Sequence, residues 1–236
     1  VLKGYFMDKK KRLLLKISGE ALAGDKKMGV DNTILKRIAE QIKLAVNEGY
    51  QIAIVVGGGN YWRGRSNEMF DNTKSDYIGM LATTMNALII SDMLEAIGVP
   101  SRVQTAVEMI KFAEPYITRK AVAHLEEGKV VIFGCGTGNP CFSTDTAAAL
   151  RAIEIKADMI LKATMVDGVY DKDPNKYSDA VKFDEITFKD ILSKNLKVID
   201  STAAALCQEN HMPLLVFDIS DESNIYKAIK SDEKIG

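Results

Sequence analysis

The sequence predicts an α/β fold, a three-layer αβα sandwich around a mainly parallel central sheet. Two observations predict it. Short apolar runs of strand length alternate with stretches whose apolar residues recur at a helical period, and the residues with unusual chemistry cluster directly after the apolar runs. Alternating strands and helices build a parallel sheet with helices on both faces. Ligands of such sheets sit beyond the carboxyl ends of the strands.

RLLLKIS (12–18) is a short apolar run ending in small residues, which reads as a buried strand feeding a loop, and GDKKMG (24–29) continues that loop. Asp31 then precedes Ile34, Leu35, Ile38, Ile42, Ala45 and Val46, a period near 3.6 with Asp31 as N-cap and Gly49 as the stop. QIAIVVG (51–57) is the second strand, and a long helix runs from about Asp76 to Ile97 on Leu81, Met85, Leu88, Ile89, Met93 and Leu94. The alternation continues with strand SRVQTA, a helix near 116–126, strand KVVIFG, a helix near 145–155 and strand ADMILKA. Residues 164–184 are polar and turn-rich. A short helix near 187–193, a helix from about 202 and strand LLVFD follow.

Composition narrows the function classes. A chain of 236 residues with 47% hydrophobic residues buries a substantial core, and no composition break divides it, so 12–236 reads as a single domain. Residues 1–11 read as a disordered or tag-like lead-in, with Met7 a candidate start. Lys+Arg 31 against Asp+Glu 32 leaves no basic surplus for a nucleic-acid backbone. Apolar runs such as VVIFG are far shorter than a membrane span, so no membrane partner is expected. Three irregularly spaced cysteines fit inert thiols in a reducing cytoplasm, and the two histidines show no zinc spacing.

The loops carry the chemistry. Gly57, Gly58 and Gly59 are expected to use positive φ and their missing β-carbons to turn peptide N–H groups toward an anion, with Arg63 adding a planar fork for phosphate oxygens. A tight turn whose glycines merely relieve sterics is the alternative. Tyr61 and Trp62 read as packing residues rather than base-stacking platforms. GCGTGNPCFSTD (134–145) repeats the theme at the start of a helix, where hydroxyls and an amide join the positive end of the helix dipole. Ordinary N-capping is the competing role for Ser143, Thr144 and Asp145. The Walker pattern is absent, because Gly128-Lys129 is followed by Val130, and GxGxxG fails at Trp62 and Cys141.

Taken together, KISGEA (16–21), GGGN (57–60) with Arg63-Gly64, GTGNP (136–140) with Thr144-Asp145, and KAT (162–164) with VDGVY (166–170) and Asp173-Pro174 resemble the bacterial uridylate kinases of the amino acid kinase superfamily. The resemblance runs in order from about Arg12 to about Phe217. It implies an amino acid kinase-like fold and γ-phosphoryl transfer from ATP to UMP, with Mg²⁺ held mainly by the nucleotide phosphates. It also implies UTP feedback inhibition and a homo-oligomer, a hexamer built as a trimer of dimers.

Carried over by position, Lys16, Ile17, Ser18 and Gly19 would contact ATP phosphates, and Gly59 and Arg63 would lie at the phosphoryl junction. Thr164, Tyr170 and Asp173 would hold the ATP nucleoside. Gly58, Asp76, Thr137, Gly138, Asn139, Pro140, Cys141, Phe142, Ser143 and Thr144 would hold UMP. Lys16, Arg63 and Asp145 would be the catalytic set, with Asp145 organising a lysine or the metal. Asp76 suits ribose hydroxyls by its acceptor chemistry, although an N-cap before YIGML reads equally well. Asp200 lies nearby or caps the helix beginning at Ser201.

One departure stands out. Family members activated by GTP use basic residues on the long helix and adjoining strands, where this chain has Ser91, Glu95 and Thr118 and keeps only Arg102 and Lys129 as obvious cations. Weak or absent GTP activation is expected. Two rival readings remain: a kinase for a carboxylate or carbamate substrate, and a non-catalytic nucleotide-binding shell on the same fold.

Overall fold

The computed structural model describes residues 11–63, 70–230 and 236. The expected lead-in, save Lys11, and Gly64 of the arginine motif lie outside the described residues. In chain order the elements are β1 (Arg12–Ile17), α1 (Gly19–Ala23), α2 (Asn32–Asn47), β2 (Gln51–Val56), α3 (Asn72–Ala96), β3 (Ser101–Thr105), β4 (Glu114–Pro115) and α4 (Thr118–Glu126). There follow β5 (Val130–Gly134), α5 (Thr144–Glu154), β6 (Met159–Thr164), β7 (Val169–Tyr170), β8 (Lys182–Phe183), α6 (Phe188–Ser193), α7 (Ser201–Glu209), β9 (Leu214–Asp218) and α8 (Asn224–Lys230).

Seven strands form one sheet in the order β4-β3-β5-β2-β1-β6-β9, and every neighbouring pair is parallel. The antiparallel pair β7-β8 stands apart as a two-stranded ribbon. The side-chain period of two sends alternate residues of each strand to opposite faces. Leu13, Leu15 and Ile17 of β1 join the core with α2, α3 and α8, whereas Leu14 faces the core with α4, α5 and α7. Burial on both faces explains why the central strands are almost unbroken apolar runs. Seven parallel strands between two helical layers give the three-layer sandwich that the alternation predicts.

Side chains fix most helix starts. Asp31 Oδ1 accepts from Thr33 N at 2.8 Å and Ile34 N at 3.3 Å to cap α2. Helix α3 begins earlier than the sequence suggests: Asp71 caps it through Lys74 N at 3.0 Å, so Asp76 lies within the helix and is not its cap. By length and composition α3 could cross a bilayer, contrary to the expectation from apolar runs alone. Its Ala87, Ile90 and Leu94 are buried in the core against the sheet, which accounts for the apolarity of that side. A second apolar stripe of Ile78, Leu81 and Met85 is exposed.

Candidate active site

Strand register builds the centre of the site. On β1 and β6 the residues facing α5 are Leu14 and Ile160, and two positions further on the same face carries Lys16 and Lys162. The two lysines are direct register partners on adjacent parallel strands. Like charges so placed repel unless something lies between them. That something is Asp145, in the first turn of α5: Oδ1 is 2.9 Å from Lys16 Nζ and Oδ2 is 2.5 Å from Lys162 Nζ. Lys162 also donates to Val198 O at 2.5 Å. All three side chains are largely buried, Lys16 and Lys162 at 12% exposure and Asp145 at 17%.

Burial alone would push the Asp145 carboxyl up, but the ammonium groups of Lys16 and Lys162 override it and hold the group below the usual carboxylate range. Burial pulls Lys162 below the usual lysine range, and the charge of Lys16 adds to that, against the attraction of Asp145. The three side chains of the cluster together carry one net positive charge, which the Asp200 carboxylate acting on Lys162 partly offsets. A cluster with that surplus suits anionic oxygens.

The two loops above β1 and β2 interlock. None of Gly57, Gly58 and Gly59 adopts positive φ, contrary to the expectation for the triplet. Space explains these glycines instead: a β-carbon on Gly58 would lie 2.8 Å from Ala82 Cβ and 2.9 Å from Gly79 O, and one on Gly19 would lie 2.8 Å from Gly57 O. Asn60 and Asn86 form a buried reciprocal amide pair, at 3.0 and 2.7 Å, and Asn86 Nδ2 also holds Gly57 O at 2.7 Å. The left-handed glycines are in the other loop, Gly136 (φ 55) and Gly138 (φ 84). Arg63 Nη2 meets Glu20 Oε1 at 3.0 Å on the exposed rim.

Two cavities flank the lysine cluster. The smaller, about 250 Å³, is lined by Gly58, Gly59, Asp76, Thr137, Asn139, Phe142, Ser143 and Thr144, with Trp62, Ser75 and Thr83. Asp76 Oδ2 accepts from Cys141 N at 2.7 Å, which fastens the 135–143 loop to α3. Trp62 packs as expected, its Nε1 donating to Ser75 at 2.8 Å and its ring edge-on against Phe70, and it also lines the cavity. Gly138, Pro140 and Cys141, expected as direct contacts, belong to this loop but do not line the cavity. Gly138 backs onto Ala106, and Cys141 spends its N–H on Asp76. Ser143 caps α5 through Asp145 N at 3.0 Å and Thr146 N at 3.1 Å.

The larger cavity, about 580 Å³, is lined by Lys162, Thr164, Tyr170, Asp173, Lys194 and Val198 among others. Thr164, Tyr170 and Asp173 are therefore brought together, whereas Lys16, Ile17, Ser18, Gly19, Gly59 and Arg63 lie outside its lining. The Ile17 side chain is fully buried in the core, so only its backbone is on offer, and its carbonyl already accepts from Gly57 N at 2.9 Å. The Ser18 hydroxyl caps α1 through Ala21 N at 3.1 Å. Lys162 lines the larger cavity and Thr144, next to Asp145 in the chain, lines the smaller, whereas Lys16 and Asp145 line neither.

Sequence reasoning missed Lys162 as a site residue, although it repeats the Lys16 signature of a lone lysine at the end of an apolar strand. It also missed Asn86 and Arg151. Buried Arg151 donates to Gly136 O at 3.2 Å and Glu154 at 2.6 Å, and its guanidinium lies 3.9 Å above the Tyr116 ring. Burial and the nearby Glu154 push the Tyr116 hydroxyl up to about 12.

Residues 11–218 match the amino acid kinase family, and the chain belongs to it. Similar solved structures refine that class. A UMP kinase from Bacillus anthracis superposes with a TM-score of 0.90 at 35% identity, over 94% of this chain and 93% of that one. A UMP kinase from Ureaplasma parvum gives 0.90 at 38% identity, over 95% and 97%. A uridylate kinase from Archaeoglobus fulgidus gives 0.72 at 30%, over 93% and 95%.

Proposed function

We infer that the protein is a UMP kinase. It transfers the γ-phosphoryl group of ATP to UMP, giving UDP and ADP in pyrimidine nucleotide biosynthesis. The observation that carries this reading is the Lys16–Asp145–Lys162 cluster between two cavities of nucleoside scale, in a chain 35% and 38% identical to UMP kinases of the same fold.

The larger cavity takes the nucleoside of ATP through Thr164, Tyr170 and Asp173. The smaller takes UMP, with Asp76 toward the ribose hydroxyls and Asn139 offering an amide to the base edge. The phosphates meet at the junction. A UMP phosphate oxygen is already a competent nucleophile, so positioning and charge neutralisation matter more than a strong base. Lys16 and Lys162 neutralise charge as the phosphoryl group moves, Asp145 keeps both ammonium groups aimed, and Arg63 closes the rim after leaving Glu20. Among the described residues no group of three or more His, Cys, Asp or Glu is placed to hold a metal, and Asp145 is already taken by two lysines. On our reading Mg²⁺ is held mainly by the nucleotide phosphates, with Asp145 engaged by the lysines. When bound with ATP it neutralises phosphate charge.

Release of ADP, measured with UMP, CMP, dUMP, aspartate and glutamate as acceptors, tests this reading. Turnover with UMP far above the others is expected. Preference for an amino acid would establish the carboxylate-kinase alternative, and nucleotide binding without ADP would establish the non-catalytic one. Asp76→Asn is expected to raise the UMP KM more than it lowers kcat, and unchanged UMP saturation would assign Asp76 to loop fastening alone.

The regulatory and assembly readings are ours as well. The protein works in the cytoplasm as a hexamer, a trimer of dimers, without nucleic acid or membrane partners, and UTP inhibits it by feedback. The exposed Ile78, Leu81 and Met85 stripe on α3 supports self-association, and three free thiols suit a reducing compartment. GTP activation is weak or absent, because the two candidate cations already face carboxylates. Arg102 lies 3.7 Å from Glu95 and 3.9 Å from Glu114, and Lys129 lies 2.5 Å from Glu127. Steady-state rates that rise severalfold with GTP would contradict this.

A further inference from the structure

We propose that Asp200 is a positioning residue that links the two nucleotide cavities, so that binding in one strengthens binding in the other. The inference rests on the UMP kinase reading and deepens it.

The segment from Leu196 to Asp200 touches both sides of the site. Leu196, Lys197 and Val198 line the larger cavity, and the Val198 carbonyl holds Lys162 Nζ at 2.5 Å. Two residues on, the Asp200 carboxylate reaches across to the start of α5. It accepts from Ser143 Oγ at 2.5 Å and from Thr146 Oγ1 at 3.0 Å, while Oδ1 also caps α7 through Ala203 N at 3.0 Å. Ser143 in turn caps α5 and lines the smaller cavity, and its cap receives the N–H of Asp145. Ile199, between Val198 and Asp200, is buried in the core, so the two ends of the segment move together.

A plain N-cap needs only the contact to Ala203. The bonds to Ser143 and Thr146 are additional, and they come from the helix that carries Asp145. A nucleotide that seats against Leu196–Val198 therefore fixes the strut that orients the acceptor loop and the aspartate between the lysines. Ordering done by the first nucleotide does not have to be supplied by the second, which gives positive coupling of equal size in both directions.

Calorimetric titration of a non-hydrolysable ATP analogue with Mg²⁺, with and without UMP, and of UMP with and without the analogue, reads the coupling factor. Asp200→Ser keeps a side chain that caps α7 but is too short to bridge to α5. Thr146→Val removes one of the bridging donors at nearly constant volume and decides the matter if Asp200→Ser fails to fold. In the wild type each nucleotide is expected to tighten the other by at least about fivefold. In Asp200→Ser the factor is expected to fall to about one, and Thr146→Val is expected to fall between. A wild-type factor of one, or a factor unchanged in the variants, overturns the link. Absence of ADP release with UMP in the wild type would instead overturn the functional reading beneath it.

Discussion

Lys16→Ala and Lys162→Ala are each expected to lower turnover by about two to three orders of magnitude, roughly 3 to 4 kcal/mol, as loss of an aimed charge donor does. The structure pairs the two lysines in a way the sequence does not. They are register partners, share one carboxylate, and are equally sheltered from water at 12% exposure. Removing either leaves Asp145 neutralising the other, so the surplus positive charge at the junction falls to nothing. Arg63→Ala is expected to cost less, because Arg63 is 64% exposed and already paired with Glu20. Initial rates at saturating ATP and UMP check this. Near-normal rates in both lysine variants would remove the cluster from the mechanism.

Asp145→Ala carries the second large effect, on stability as well as rate. Two buried ammonium groups then face each other with only the more distant Asp200 carboxylate acting on Lys162, and breaking such a pair costs about 3 to 5 kcal/mol. For a chain of this size that is a fall in melting temperature on the order of 10 °C. If ATP phosphates bind beside the lysines as proposed, they would supply the missing negative charge, so ATP is expected to restore more melting temperature to the variant than it adds to the wild type.

The pH dependence has a definite sign. Asp145 is depressed in the fold, so its contribution is present above the ordinary carboxylate value and is lost as pH falls through the folded value, which lies below 3.8. Lys162 is also depressed, so its charge costs stability while protonated. That cost fades as pH rises through its lowered value toward the ordinary 10.5. Melting curves of the ligand-free protein from acid to neutral pH should therefore show an acid limb that is shallower in Asp145→Ala, with other depressed carboxylates such as Asp31 and Glu114 supplying the remainder. Parallel limbs would mean that the carboxylate does not hold the lysines.

The strands were legible because burial on both faces writes them as apolar runs, and Asp31 announced α2 by capping it. The parts that stayed hidden depend on chain segments far apart in sequence. Lys162 gains its meaning only from the β1–β6 register that sets it beside Lys16. The resemblance has Asp145 organise a lysine or the metal, with capping as the alternative; Ser143 takes the cap and Asp145 pairs with two lysines, of which the sequence singles out only Lys16. For the glycine triplet the steric alternative fits better than positive φ: Ala82 and Gly79 on α3 leave no room for a β-carbon on Gly58, and none of the three adopts positive φ. The α3 boundary was misplaced because Asp71 and Asp76 are equally good caps in sequence. Short pieces such as α1, β4, the β7–β8 ribbon and α8 are too brief for periodicity to register.

A crystal structure with a non-hydrolysable ATP analogue, Mg²⁺ and UMP tests the central claim most directly. The ATP analogue's nucleoside is expected against Thr164, Tyr170 and Asp173, UMP against Asp76 and Thr137, and the γ-phosphate facing the UMP phosphate within reach of Lys16 and Lys162. Nucleotides bound away from that junction, with the Lys16–Asp145–Lys162 cluster touching neither, would contradict it.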